Sequence, residues 1–137
     1  VALAAAAKAE PWFVRLVDRL VETSIDYLVG QVKAGAEVLQ IFDSWAGILP
    51  ASQFARWCVA PVRRIVQALR ERHPHTPVIG FPKGAGPLYS LFLREAMTDA
   101  VGLDWTVDPI WAARMLQIEK PVQGNLDPLA LEAGGQP

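Results

Sequence analysis

Cysteine is almost absent from the chain, with Cys58 the single example. One thiol excludes an internal disulfide and any multi-thiolate zinc or iron–sulfur site, so a reducing, cytoplasmic setting is the default expectation. Charge of one sign is lacking as well. Thirteen Lys+Arg against fourteen Asp+Glu leave a formal net charge of -1, with no global basic field to hold a nucleic acid or an anionic membrane. Long apolar runs are also missing. The most apolar N-terminal stretch, Val1 to Ala7, is too short to span a bilayer and follows no basic leader, so neither a membrane helix nor a complete signal peptide is readable. No nucleic acid and no membrane is therefore expected as a partner. The chain has no His-x-Cys, His-Glu-x-x-His, Gly-x-Ser-x-Gly or Gly-x-x-x-x-Gly-Lys, which removes the usual zinc, nucleophile-elbow and phosphate-loop readings. Gly80 to Gly86 is glycine-rich without the Gly-x-Gly-x-x-Gly spacing of a dinucleotide site.

What is present is apolar. Of 137 residues, 52% are hydrophobic and 20% charged, a balance that buries a core and fits one domain at ~100–200 residues per domain. Phe13, Leu16, Val17, Leu20, Val21, Ser24, Leu28 and Val32 follow the stripe of an amphipathic helix that should stop near Gly35. Val38 to Phe42 is apolar without clean alternation, as in a strand covered on both faces by helices. The alternation then recurs. A helix opened by Pro61 carries Val62, Ile65, Val66 and Leu69; Val78 to Phe81 is a second strand; and Leu88, Leu91, Phe92 and Ala96 stripe the next helix. Ala100 to Leu103 is a third strand. Asp108 caps a helix with Pro109 in its first turn and Trp111, Ala112, Met115 and Leu116 inward. Val122 to Asn125 is a weaker fourth strand, and Leu129 to Glu132 begins another helix. Strand and helix alternating with short connections predict an α/β fold with a parallel sheet.

Polar residues gather where each apolar strand ends: Asp43 and Ser44, Lys83, Asp104, and Asn125 with Asp127. In parallel α/β folds that edge binds ligands. Each has a plainer reading. Asp43 and Ser44 can bond nearby backbone amides, Lys83 can be a solvated loop charge, Asp104 can cap a turn or pair with a cation, and Asn125 and Asp127 are turn formers. His73 and His75 sit in a proline-flanked loop far in sequence from any carboxylate motif and read as solvated. Cys58 reads as a packed thiol, the arginines from Arg63 to Arg72 as a wet face, and the five tryptophans chiefly as core, with a stacking surface at Trp45 and Trp105, which follow strand ends, as the alternative. Counting leaves the architecture open. A (β/α)8 barrel needs ~250 residues, of which four βα units are about half, and periodicity alone leans towards a doubly wound sheet.

Five blocks reverse that lean: Tyr27 to Ala36 (YLVGQVKAGA), Phe42 to Gly47 (FDSWAG), Phe81 to Gly84 (FPKG), Val101 to Trp105 (VGLDW) and Val122 to Pro128 (VQGNLDP). In this order and spacing, from about Trp12 to Leu131, the chain resembles the uroporphyrinogen decarboxylase family. The resemblance implies about half of a (β/α)8 TIM barrel, a partial domain over residues 1–137 with its N-terminal helix first, cut from a longer protein as a first residue other than Met also suggests. It implies an enzyme that removes four acetate carboxylates from uroporphyrinogen to give coproporphyrinogen, with no metal or organic cofactor, acting on its tetrapyrrole as a homodimer. Ser44 would hydrogen-bond a substrate carboxylate, Phe42 and Phe81 would wall the cleft, and Lys83, Asp104 and Asn125 would form its rim. The family's arginine motif, aspartate and tyrosine would precede Val1 and its histidine would follow Pro137, so Arg15, Asp43, Tyr89 and His73 take none of those roles and this piece alone should be inactive. Two other readings stand beside it: a corrinoid-linked methyltransferase of the related barrel superfamily, and a non-enzymatic α/β module that binds a small ligand.

Overall fold

Pro11 lies in the first turn of a 23-residue helix, α2 (Pro11–Lys33), where its missing N–H costs nothing. The helix ends where Gly35 takes a φ of +105°, a conformation open to glycine. The structure, a computed structural model, describes residues 2–135. Ahead of α2, the alanine run forms α1 (Ala2–Lys8), which follows from alanine having the highest helix propensity. The indole N–H of Trp57 donates to the Ala6 carbonyl at 3.1 Å and to Gln53 at 2.6 Å, fixing α1 on the helix that follows the first strand.

Four strands follow: β1 (Leu39–Asp43), β2 (Val78–Pro82), β3 (Ala100–Gly102) and β4 (Val122–Gln123). All are parallel and lie in the order β1-β2-β3-β4, with Leu39 opposite Val78, Ile79 opposite Ala100 and Val101 opposite Val122. This order decides the architecture. A doubly wound sheet reverses its strand order to place helices on both faces, whereas consecutive order with crossovers of one hand places every helix on the same face. Burial agrees. Leu39, Val78, Gly80 and Val101 are buried on the helical side, while Phe42 is 65% exposed on the other and Gln40, Ile79 and Phe81 are half-buried beside it. The expectation that helices cover both faces of the first strand is thereby corrected. Helices cover one face, and the second apolar set is the inward layer of barrel strands.

Between β1 and β2 the chain is helical almost throughout: a 3₁₀ turn at Ala46–Ile48, α3 (Ala51–Phe54), a π turn (Ala55–Val59) and α4 (Ala60–Arg72). The helix begins earlier than Pro61 predicts. Pro61 has no N–H for the Trp57 carbonyl and its ring would press on it, and the wider π turn lies at that point. α4 packs on α2 through Val62, Ile65, Val66 and Leu69, and Arg64 meets Asp18 at 2.6 Å across the same seam. β2 leads through a 3₁₀ turn at Gly86–Leu88 into α5 (Tyr89–Glu95), whose Phe92 ring fills the space over Gly80 that a Cβ would occupy. After β3 comes α6 (Pro109–Met115), capped by Asp108, which accepts from the Ile110 N–H at 2.8 Å. Ala112 within it and Leu116 just past its end are buried but Met115 is exposed, against the inward placement expected of it, because a seven-residue helix presents only one turn to the core. Asp127 caps α7 (Pro128–Ala133) in the same way. β4 stops at Gln123, two residues earlier than its apolar pattern suggests, where Gly124 turns against the Leu103 backbone with a φ of +127°.

Candidate functional site

Backbone bonds continue past the end of the β1–β2 ladder. The Lys83 N–H donates to the Asp43 carbonyl at 3.0 Å, and the Gly47 N–H donates to the Lys83 carbonyl at 2.9 Å. The loops after β1 and β2 are thus laced together, with no room for a side chain between them: a Cβ on Gly47 would run into the Gly84 backbone. The Asp43 carboxylate closes its own turn by accepting from the Trp45 N–H at 3.2 Å. Cys58, 1% exposed, faces it from the π turn. Burial, then the neighbouring Asp43 charge and a hydrogen bond to it, push that thiol far above its ordinary range.

The β2 and β3 loops are joined by Asp104, which is 3% exposed. One carboxylate oxygen accepts from the Gly84 N–H at 2.6 Å and from the Tyr89 hydroxyl at 2.9 Å. The other accepts from the Thr106 N–H at 3.0 Å and from the Thr106 hydroxyl. Burial is the largest influence on this carboxyl and acts upward, but the bonds from Thr106, Gly84 and Tyr89 together outweigh it and hold the group below the usual carboxylate range. Tyr89 is buried, and burial followed by its bond to Asp104 push the phenol upward, so it remains a proton donor to the carboxylate. The β3 and β4 loops are joined by Asn125, whose side-chain N–H donates to the Val107 carbonyl at 2.6 Å.

Four strand tips are therefore stitched into one row, β1 to β2 by backbone, β2 to β3 by Asp104 and β3 to β4 by Asn125. This row holds every residue singled out at a strand end. Phe42 and Phe81 meet edge-to-face with centroids 5.5 Å apart on the open face of the sheet. Ser44 is exposed at the tip of β1, and its hydroxyl bonds no described residue. Lys83 sits at the tip of β2 with its ammonium 4.8 Å from the centre of the Trp105 ring. Asp104 is enclosed by its four donors, with no cation paired to it among the described residues. Between the second and third loops lies a cleft of about 250 Å³ lined by Gly86, Pro87, Thr106, Val107, Asp108 and Trp111. His73 and His75 lie before β2, at the opposite end of the sheet. Among the described residues no group of three His, Cys, Asp or Glu side chains could hold a metal ion, and no helix is long and apolar enough to cross a membrane.

Composition alone misplaced three tryptophans. Trp45 is 73% exposed, and Trp12 and Trp105 are also exposed, so none of the three belongs to the core. A strand-to-loop exit on the open side leaves an indole nothing to pack under, and Trp105 spends its face on Lys83 instead. Tyr89 was missed as a member of this edge. Its only sequence signal is a phenol inside an otherwise apolar helical stripe, 15 residues from its partner.

Comparison with known proteins agrees with this geometry. The chain matches the uroporphyrinogen decarboxylase (URO-D) family over residues 2–137. It is 56% identical over 123 residues to the uroporphyrinogen decarboxylase of Novosphingobium aromaticivorans, covering 90% of this chain and 36% of that protein. For the uroporphyrinogen decarboxylase of Rhodospirillum rubrum the figures are 54% over 123 residues, 90% and 35%, and for that of Granulibacter bethesdensis 56% over 124 residues, 90% and 36%. The chain thus spans about a third of the length of the curated relatives it matches. A parallel, consecutively ordered sheet, candidate residues gathered at its C-terminal edge and a match across almost every residue lead to one conclusion: the chain belongs to the uroporphyrinogen decarboxylase family, as a partial piece of that family's TIM barrel.

Proposed function

We propose that residues 1–137 form four βα units of a uroporphyrinogen decarboxylase barrel, and that the full-length protein carrying them removes the acetate carboxylates of uroporphyrinogen to give coproporphyrinogen in the cytoplasm, as a homodimer and without a metal or organic cofactor. Losing CO2 leaves a carbanion-like centre. Protonation of the attached pyrrole gives its electrons somewhere to go, so the protein's work is to bind, orient and stabilise charge. The observation that carries the reading is the pairing of an apolar floor, Phe42 against Phe81, with a free hydroxyl, Ser44, on one sheet edge. Aromatic edges suit the faces of a flexible tetrapyrrole, and their low local dielectric strengthens each polar contact to its arms. Ser44 donates to a substrate carboxylate in this scheme, while Lys83, Asp104 and Asn125 shape the rim.

The test is turnover by the full-length protein, with loss of uroporphyrinogen followed by chromatography of the oxidised porphyrins. Ser44→Ala should lower kcat/KM by about tenfold, the equivalent of one hydrogen bond to a charged group at ~1.4 kcal/mol. Wild-type rates from the variant would remove Ser44 from the site. The chain expressed alone should show no turnover.

A further inference from the structure

We infer that Lys83 binds a carboxylate of the substrate, and that Trp105 is the platform that holds it ready. The inference rests on the proposed decarboxylase reading and adds to it a residue with a charge. The ladder that continues past β2 to the Lys83 N–H keeps the side-chain alternation of a strand for one more residue, which puts Lys83 on the same face as Phe81, two positions earlier. Phe81 touches Phe42 and covers Gly102 on the open face. The ammonium of Lys83 therefore stands at the tip of the proposed substrate floor. Its only described partner is the Trp105 ring, at 4.8 Å; among the described residues it forms no ion pair. The nearest carboxylate in sequence to that ring, Asp104, is saturated by Gly84, Tyr89 and Thr106 and has nothing left to offer.

A cation resting on an indole is steadied without being neutralised. The ring covers one side of the ammonium and removes some of its water, while its N–H donors stay free for an incoming anion. Ordinary surface lysines are mobile and fully hydrated, and holding one in place costs entropy at the moment of binding. Here the backbone pins the base of the side chain and Trp105 pins its end, while Asp104 pins Trp105 through the adjoining turn. A tetrapyrrole lying on Phe42 and Phe81 would bring a carboxylate arm within reach of that ammonium.

The experiment uses the full-length protein carrying this chain, with Lys83→Met and Lys83→Arg variants. Two readings are taken: KM and kcat for uroporphyrinogen, and equilibrium binding of coproporphyrin III followed by quenching of tryptophan fluorescence, at low and high salt. Lys83→Met should raise both KM and the coproporphyrin Kd by about tenfold, with kcat much less affected and a shallower salt dependence. Lys83→Arg should restore both, because a guanidinium keeps the charge and stacks on an indole. A Lys83→Met protein with unchanged Kd and salt dependence overturns the inference. So does a Lys83→Arg protein as weak as Lys83→Met, which would mark a packing role. Failure of wild-type protein to turn over uroporphyrinogen would refute the decarboxylase reading instead, and the coproporphyrin measurement would still decide whether Lys83 holds carboxylates.

Discussion

Replacing Asp104 by asparagine exchanges one oxygen for an NH2 group and leaves the shape of the side chain unchanged, yet it should cost about 2–4 kcal/mol of stability. Four donors converge on the carboxylate: the Gly84 and Thr106 N–H groups and the Tyr89 and Thr106 hydroxyls. An asparagine can keep two of these on its single oxygen. Whichever way the amide turns, its NH2 then faces one hydroxyl and one backbone N–H. The hydroxyl can rotate and accept, but the backbone N–H cannot, and an unsatisfied buried donor costs about 1–3 kcal/mol. Loss of charge assistance in the surviving bonds adds about 1 kcal/mol more. Tyr89→Phe is the companion variant. It removes one donor to the carboxylate and, because the same hydroxyl accepts from the Asp104 N–H at 3.4 Å, that backbone donor's partner as well, so with the Gly84 and Thr106 N–H groups still satisfied it should cost about 1–3 kcal/mol. Urea unfolding of the full-length variants, followed by tryptophan fluorescence, measures both. The sign of the pH dependence adds a second test. A carboxyl held below its ordinary range in the folded protein contributes stability that is fully present above its unfolded pKa of about 4 and disappears as pH falls through its folded value. The gap between wild type and Asp104→Asn should therefore be constant above about pH 5 and close below about pH 4. A gap under about 0.5 kcal/mol at pH 7, within the range of an ordinary surface change, would refute the network as described.

Gly47→Ala places a methyl against the Gly84 backbone, where no flexible side chain can give way; it should destabilise by about 1–3 kcal/mol and lower turnover by displacing the β1 loop from the β2 loop, both measurable on one purified variant. Cys58, enclosed and pushed upward by burial and by Asp43, should resist a thiol-specific chromogenic disulfide in the native protein at pH 8 and react fully in denaturant. Rapid stoichiometric labelling of native protein would show the π turn to be open.

Where local chemistry marks an element, the sequence was readable. Asp108-Pro109 announces its helix because an aspartate can accept from the N–H two residues on and proline suits a first turn, and both are found. The strands were legible as apolar runs stopped by Asp43, by Pro82-Lys83-Gly84 and by Asp104. Strand order was not, since four similar βα units satisfy the same periodicity whether the sheet winds one way or two. The five matching blocks, not the pattern, pointed to a barrel. The ties across the site were equally hidden. Asp104 meets Gly84 from 20 residues away and Asn125 meets Val107 from 18, and contacts between loops leave no period to detect. Even Asp104 carried a correct local signal, its bond to the Thr106 N–H two residues on, that concealed its longer reach.

Each ladder of the sheet joins a strand to the one that precedes it in the chain, first Leu39 with Val78, then Ile79 with Ala100, then Val101 with Val122. A polypeptide leaving the ribosome N-terminus first can thus lay down every strand on an edge already made, with no position held vacant for residues still to be translated. A doubly wound sheet, which returns to insert strands on the far side of its first one, grows in two directions. This segment grows in one, and at each stage of synthesis its newest strand is also its receptive border.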